Sequence, residues 1–251
     1  MKLTVLGSGT GLSDANRACS GYLLESQQNF IALDFGTGAF KNLQKVLHPS
    51  KLNAMFFSHY NHLDHVGDLP GFLFNRKGFC ERNPNEARQL NLFGPTGFEA
   101  FARKMLEAFP FLLMTNFPVN AEEMHYSTKK VFNFTVKSKP VEHSENSLGF
   151  RIEANGKTIA YSGDTEYCDE IIDLGQNADL LVLDCSYAGE EKHEGHLNAT
   201  ECGEIAKKAN AKRLLLTHFY PEAENEDIAA QAAKAFKGQI FVAQDLMEIL
   251  L

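Results

Sequence analysis

The segment Ser58-His59-Tyr60-Asn61-His62-Leu63-Asp64-His65-Val66-Gly67-Asp68 follows directly on an apolar run, Leu52 to Phe57. Imidazole nitrogen and carboxylate oxygen suit borderline divalent cations such as Zn²⁺. Nine histidines are spread over 251 residues. Three of them within seven positions, with an acid between the last two, point to a metal centre rather than a His-rich polar loop. A centre with two cations needs more ligands, and three later residues stand where strands should end: His143 after VKSKPVE, Asp164 after TIAYSG, and His218 after RLLLT. Loops at strand ends hold side chains on a rigid base and leave them free to converge. Taken singly, these three would be a solvated loop histidine, a turn acid and a core histidine. Their joint occurrence in this order argues for ligands.

The elements that must position these residues are legible from periodicity. The N-terminal third alternates apolar segments (KLTVLG, SGYLLE, FIALDFGTG) with Gly-rich turns, which reads as a sheet with tight connections. Ala39 to Leu47 has helical spacing, and Leu52 to Phe57 reads as the strand that carries the cluster. Residues 69 to 130 hold many phenylalanines around the strand LNLFGP and a helix from Gly97 to Ala108. VFNFTVKSKPV and LGFRIEANGKTIAYSGD read as strands, the latter turning at Asn155-Gly156. An α/β half follows: a helix near Cys168 to Leu174, the strand LLVLDCSY, a helix from Thr200 to Ala209, the strand RLLLTHFY, a helix from Ile228 to Phe236 and the strand QIFVAQ. Sheet followed by helix, twice over, predicts one α/β (α+β) domain over residues 1–251, with two mixed sheets between two helical layers. The C-terminal apolar segment Asp245 to Leu251 fits either the core or a homodimer seam.

Composition narrows the class. Hydrophobic residues make up 44% and charged residues 22%, an ordinary globular balance. No run of eighteen apolar residues suggests a membrane span, and MKLTVLGSGTG lacks a secretory h-region. Five scattered cysteines, Cys19, Cys80, Cys168, Cys185 and Cys202, form no C-x-x-C pair and read as reduced core thiols; the expected compartment is the cytoplasm. A net charge of −8 argues against a general nucleic-acid binder, although bound cations would reverse the local field.

The order His-x(2)-His-x-Asp-His, lone His, Gly-Asp-Thr after a strand and Thr-His after a strand resembles the metallo-β-lactamase superfamily of αββα hydrolases, over nearly the whole chain. LGSGTGLSDANRACSGYLLE is similar to that family's first strand and turn, and Asp34-Phe35-Gly36 to its early Asp-x-Gly element. The resemblance implies a hydrolase that uses a hydroxide held by two divalent cations, Zn²⁺ or Mn²⁺. One cation would take His59, His62 and His143, the other Asp64, His65 and His218. Asp164 would bridge them, Asp34 would orient ligands without binding metal, and Asp64 would also orient the hydroxide. One departure stands out: the family motif is His-x-His-x-Asp-His, and this chain has an extra residue between His59 and His62. If the strand keeps register, His59 is the first ligand and Tyr60 or Asn61 bulges out; otherwise Tyr60 takes the position. The first alternative is preferred, because a hydrophobic strand followed by Ser and His is how such a segment should end.

Gly195-His196-Leu197-Asn198-Ala199-Thr200 resembles the histidine element of ribonuclease Z-like phosphodiesterases. The resemblance makes His196 the residue that contacts phosphate and assists the leaving group, and Asp184 its acidic partner. The bland reading is that His196 or Asn198 caps the helix starting near Thr200. At 251 residues the chain has no basic, Gly/Pro-rich insertion suited to gripping transfer RNA. The expectation is therefore a metal-dependent phosphodiesterase acting on a small or nucleotide-derived phosphodiester, with RNA as a less favoured substrate. The alternatives are a ribonuclease Z-like endonuclease that processes the tRNA 3′ end, a hydrolase of carboxylic esters, lactones or thioesters, and a non-catalytic binding scaffold with a decayed metal site.

Overall fold

The structure is a computed structural model, and it describes residues 1–12, 15–113, 116–191 and 194–251. Ser13 and Asp14, in the first turn of the resemblance, fall outside that set. Two seven-stranded sheets lie face to face. The first runs β14 (Glu248–Leu250), β1 (Lys2–Gly7), β2 (Gly21–Ser26), β3 (Asn29–Phe35), β4 (Ala54–Phe56), β5 (Leu90–Gly94), β6 (Val119–Glu123). The second runs β13 (Gln239–Val242), β12 (Arg213–Thr217), β11 (Leu180–Asp184), β10 (Lys157–Tyr161), β9 (Leu148–Ala154), β8 (Phe134–Pro140), β7 (Thr128–Val131). In each, antiparallel pairs at one side give way to parallel pairs at the other, β3 through β6 and β10 through β13. Helices α1 (Ala39–Val46), α3 (Leu69–Arg82) and α4 (Phe98–Ala108) accompany the first sheet, and α5 (Asp169–Leu174), α6 (Ala199–Lys208) and α7 (Ile228–Ala232) the second; α2 (Leu63–Val66) is a single turn. This is the four-layer sandwich the sequence implied.

Period-two alternation explains how a continuous apolar run can serve a sheet covered on both faces. In β4, Ala54 and Phe56 join the core between the sheets, while Met55, and Phe57 just beyond the strand, join the second core beneath the helices. Phe56 stacks on Phe93 at 4.7 Å and meets Phe150 of the other sheet at 5.9 Å. Nearer the site, the Tyr22 and Tyr161 rings touch at 5.0 Å, and the Tyr22 hydroxyl bonds Thr217 Oγ1 at 2.7 Å.

Several elements differ from the sequence reading. The strand at Leu52 to Phe57 shortens to β4, because a 3₁₀ turn over Pro49–Lys51 leads into it. VFNFTVKSKPV is two strands, β7 and β8, joined at Phe132 with φ +54°. The last helix ends at Ala232 rather than Phe236. α3 was not anticipated at all. The Asn155-Gly156 hairpin is as expected, with φ of +52° and +69°. Glu248–Leu250 adds a strand to β1, so the C-terminal segment packs on its own sheet. Four of the cysteines are buried, whereas Cys19 is half-buried.

Candidate metal centre

Every candidate ligand comes from one edge of the sandwich, where strands of both sheets end. Asp34 closes β3, Ser58 and His59 follow β4, Asp64 and His65 ride on α2, His143 follows β8, Asp164 follows β10, Asp184 closes β11 and His218 follows β12. Gly36 permits this crowding: a Cβ there would lie 1.9 Å from the Asp64 carbonyl oxygen. Asp34 and His218 both take left-handed backbone, φ +51° and +61°. Such φ values are uncommon outside glycine, and they concentrate where tertiary structure over-determines the chain, often at functional sites.

Three groups of donor atoms converge: His59, His62, His143 and Asp164; Asp64, His65 and His218; and Asp164, Asp184, His196 and His218. Asp164 sits among them. Its Oδ2 lies 3.1 Å from His65 Nε2, 3.8 Å from His143 Nε2 and 3.9 Å from His59 Nε2, and its Oδ1 lies 3.4 Å from His218 Nε2. Asp64 Oδ2 stands 3.4 Å from His218 Nε2 and 3.7 Å from His65 Nε2. His59 is in the cluster, with Nε2 3.1 Å from His62 Nδ1. Tyr60 points away: its hydroxyl donates to the Thr96 carbonyl at 3.1 Å and its ring stacks on Phe101. The strand therefore keeps its register and the extra residue is turned outward.

The outward nitrogens are pinned. His65 Nδ1 bonds Asp34 Oδ2 at 2.8 Å, and Asp34 also accepts from the Ser58 amide, the Ser58 hydroxyl and the Tyr161 hydroxyl. His59 Nδ1 lies 3.1 Å from Ser58 Oγ. His143 Nδ1 donates to the Gly195 carbonyl at 2.8 Å. Gly195 is left-handed, and a Cβ there would press on the His143 ring at 2.9 Å. His218 Nδ1 lies 3.0 Å from Ser186 Oγ, which donates to Asp184 Oδ1 at 2.7 Å. Fixing the outer nitrogen selects the tautomer that turns the inner lone pair toward a cation. Ser58, Ser186, Tyr161 and Gly195 were not singled out from sequence; the two serines adjoin the marked residues His59 and Asp184 closely enough to have been.

His196 Nδ1 bonds Asp184 Oδ2 at 2.8 Å. It does not cap α6, whose capping box is Asn198 with Glu201. Tyr187 and Tyr220 stack 5.1 Å apart beside it. His196 opens onto a cavity of about 410 Å³ also lined by His62, Asp64, Asp164, His218 and Tyr220.

The electrostatics are those of a cation cradle. Burial alone would keep His218 neutral, but Asp164, Asp184 and Asp64 outweigh it and push its pKa up to about 10. His65 is likewise raised against burial by Asp164 and Asp34. Burial opposes ionisation of Asp164 too, yet His218 and His65 hold it well below the usual carboxylate range. His59, by contrast, is lowered by burial and by its neighbour His65. Protons on histidine thus do part of the neutralising that divalent cations would do by displacing them. His65 Nε2 and Asp164 Oδ1 are buried without a hydrogen-bond partner among the described residues, which is costly unless something else coordinates them. Nitrogen and carboxylate donors in this number and burial fit borderline divalent metals.

Comparison with known proteins identifies the family. The beta-lactamase superfamily domain matches residues 31–219, a span that contains every donor above. The chain belongs to this superfamily. Its relatives within the superfamily include the probable metallo-hydrolase YhfI of Bacillus subtilis, 28% identical over 97% of this chain and 97% of that protein. The crystal structure of YhfI superposes with a TM-score of 0.86 over 99% of this chain and 98% of that one, at 27% identity. Ribonuclease Z of Methanosarcina acetivorans is 26% identical, covering 99% of this chain and 97% of that one, in an alignment spanning 308 positions. Since the chain has 251 residues, that ribonuclease carries segments without counterpart here. The short form of human tRNase Z, at 23% identity and a TM-score of 0.80 over 100% of this chain and 99% of that one, shares the superfamily fold.

Proposed function

We propose that the protein is a metal-dependent phosphodiesterase acting on small or nucleotide-derived phosphodiesters. His59, His62 and His143 would hold one divalent cation, Asp64, His65 and His218 a second, with Asp164 serving both; Zn²⁺ and Mn²⁺ suit the donors. When bound, such cations lower the pKa of water toward neutrality and neutralise charge on the phosphoryl oxygens. The chain's own residues supply the rest. Asp64 faces the cavity and accepts a hydrogen bond from the attacking water, which fixes its approach. Asp184 takes the Nδ1 proton of His196 as a hydrogen bond and, against the opposing effect of burial, raises its affinity for a second proton. His196 Nε2–H then stabilises the phosphate and donates to the leaving alkoxide. Asp164 and His218 stay fixed throughout.

The His196–Asp184 pair carries this reading. An acyl substrate expels its leaving group from a centre the cations already polarise, and gains little from a charged imidazole placed for a phosphoryl oxygen. The chain also lacks the additional segments of the ribonuclease Z relative, which supports a compact substrate over a transfer RNA precursor. Turnover of bis-p-nitrophenyl phosphate by protein loaded with Zn²⁺ or Mn²⁺ is the test, and chelation should abolish it. A fully loaded protein that leaves this ester intact refutes the reading. His196→Ala should lower phosphodiester turnover while sparing any hydrolysis of p-nitrophenyl acetate; equal losses on both would favour an acyl hydrolase.

A further inference from the structure

The site cavity does not end at the histidines. It shares Gly11, Leu12, Leu63 and Asp64 with a second cavity of about 560 Å³ that reaches α1. The two differ in charge. Among the described residues the first is lined by carboxylates and histidines and by no lysine or arginine, whereas Arg17, Lys41 and Lys45 line the second. Arg17 is committed to the fold: it donates to Ser8 Oγ at 2.7 Å and to the Ala243 carbonyl at 2.8 Å, and lies over the Phe219 ring. The lysines are not. Lys45 donates at 2.8 Å to Asn42 Oδ1, a neutral acceptor, and Lys41 makes no hydrogen bond or ion pair among the described residues. Asp245, besides Asp64 the one acid among the described residues of this wall, already accepts from the Ser8 amide and hydroxyl, the Ala18 amide and Asn42 Nδ2. Two like charges four residues apart on one helix repel slightly. In a chain of net charge −8, they give this wall, among the described residues, two lysines without a carboxylate partner beside the acidic site cavity.

We propose that Lys41 and Lys45 seat a second anionic group of the substrate, carried on the ester arm that stays with phosphorus. This rests on the phosphodiesterase reading and sharpens it. His196 and Tyr220 line only the first cavity, so the leaving arm belongs there. The retained arm crosses the shared wall of Gly11 and Leu63 into the second cavity and ends at the lysines. The substrate class is then a nucleotide ester with at least one phosphate besides the scissile one, such as a dinucleotide or an oligonucleotide end. A cyclic mononucleotide has no such group.

The p-nitrophenyl ester of thymidine 5′-phosphate, with and without a 3′-phosphate, isolates this feature, because nitrophenolate is the leaving arm in both. Metal-loaded protein should show at least about fivefold higher kcat/KM on the 3′-phosphorylated ester, the scale of two solvent-facing ion pairs. The advantage should shrink as ionic strength rises. Lys41→Ala/Lys45→Ala should bring the ratio to about one, and alanine favours the helix at these exposed positions. Lys41→Glu/Lys45→Glu should push it below one. Equal turnover of the two esters by the unaltered protein, or an undiminished ratio in the alanine variant, overturns the proposal and leaves the phosphodiesterase reading standing. No turnover of either ester or of bis-p-nitrophenyl phosphate removes both.

Discussion

Two carboxylate–serine pairs frame the centre from opposite sheets. In the first sheet Asp34 bonds His65 directly, and Ser58, itself bonded to Asp34, lies against His59. In the second, Asp184 bonds His196 directly, and Ser186, bonded to Asp184, lies against His218. The plan is the same, one histidine held by the acid and one through the hydroxyl, but the environments diverge. Both histidines of the Asp34 pair are almost wholly buried, and Tyr161 closes the acid off from the other sheet. The Asp184 pair holds one buried histidine and one that opens onto the cavity. Under the proposed function, one pair would only maintain a cradle, while the other would link the cradle to the proton-donating His196.

Substitutions that treat the two pairs alike should therefore give unlike results. The largest loss is expected from Asp34→Asn, which strands Ser58, His65 and Tyr161 at once. Removing one partner of a buried charged network costs about 3–5 kcal/mol, measurable as a lowered urea midpoint, and bound cation measured by elemental analysis should fall at both positions. Next is His196→Ala, which should keep the cation content of the unaltered protein yet lose about 10²- to 10⁴-fold in phosphodiester kcat. Lost metal in that variant would collapse the distinction between the pairs. Ser58→Ala and Ser186→Ala should each loosen cation binding about 10- to 100-fold in competition with a chromogenic chelator. Only Ser186→Ala should also alter kcat once saturated with metal. Tyr161→Phe, which leaves the ligand nitrogens untouched, should cost about 1.5–3 kcal/mol in denaturant unfolding with cation affinity retained.

The sequence exposed one side of this design more fully than the other. The candidate metal donors stand out because three histidines and an acid crowd into seven positions and the later donors follow strands in a distinctive order, whereas Asp34, His196 and Asp184 were legible only through the family resemblance. The hydroxyls escaped notice, since serine after a strand is ordinary and acquires meaning only when tertiary structure brings an imidazole within 3.1 Å. Most strands were legible because sheets buried on both faces demand continuous apolar runs. α3 was hidden for the opposite reason. Its buried residues Leu69, Phe72, Leu73, Arg76 and Cys80 keep helical spacing, but a core position is held by arginine and an outward one by Phe74. Arg76 is tolerable there because it donates to the carbonyls of Pro49, Leu52 and Arg88. Such compensation is invisible in a pattern of apolar and polar letters.

The outward turn at Tyr60 means that the number of residues between two converging histidines is not a ruler for the distance between them. A surplus residue anchored on Thr96 and Phe101 is absorbed outside the centre. Length changes at this point are thus accommodated locally, and a search pattern that fixes the spacing would pass over chains whose donors still meet.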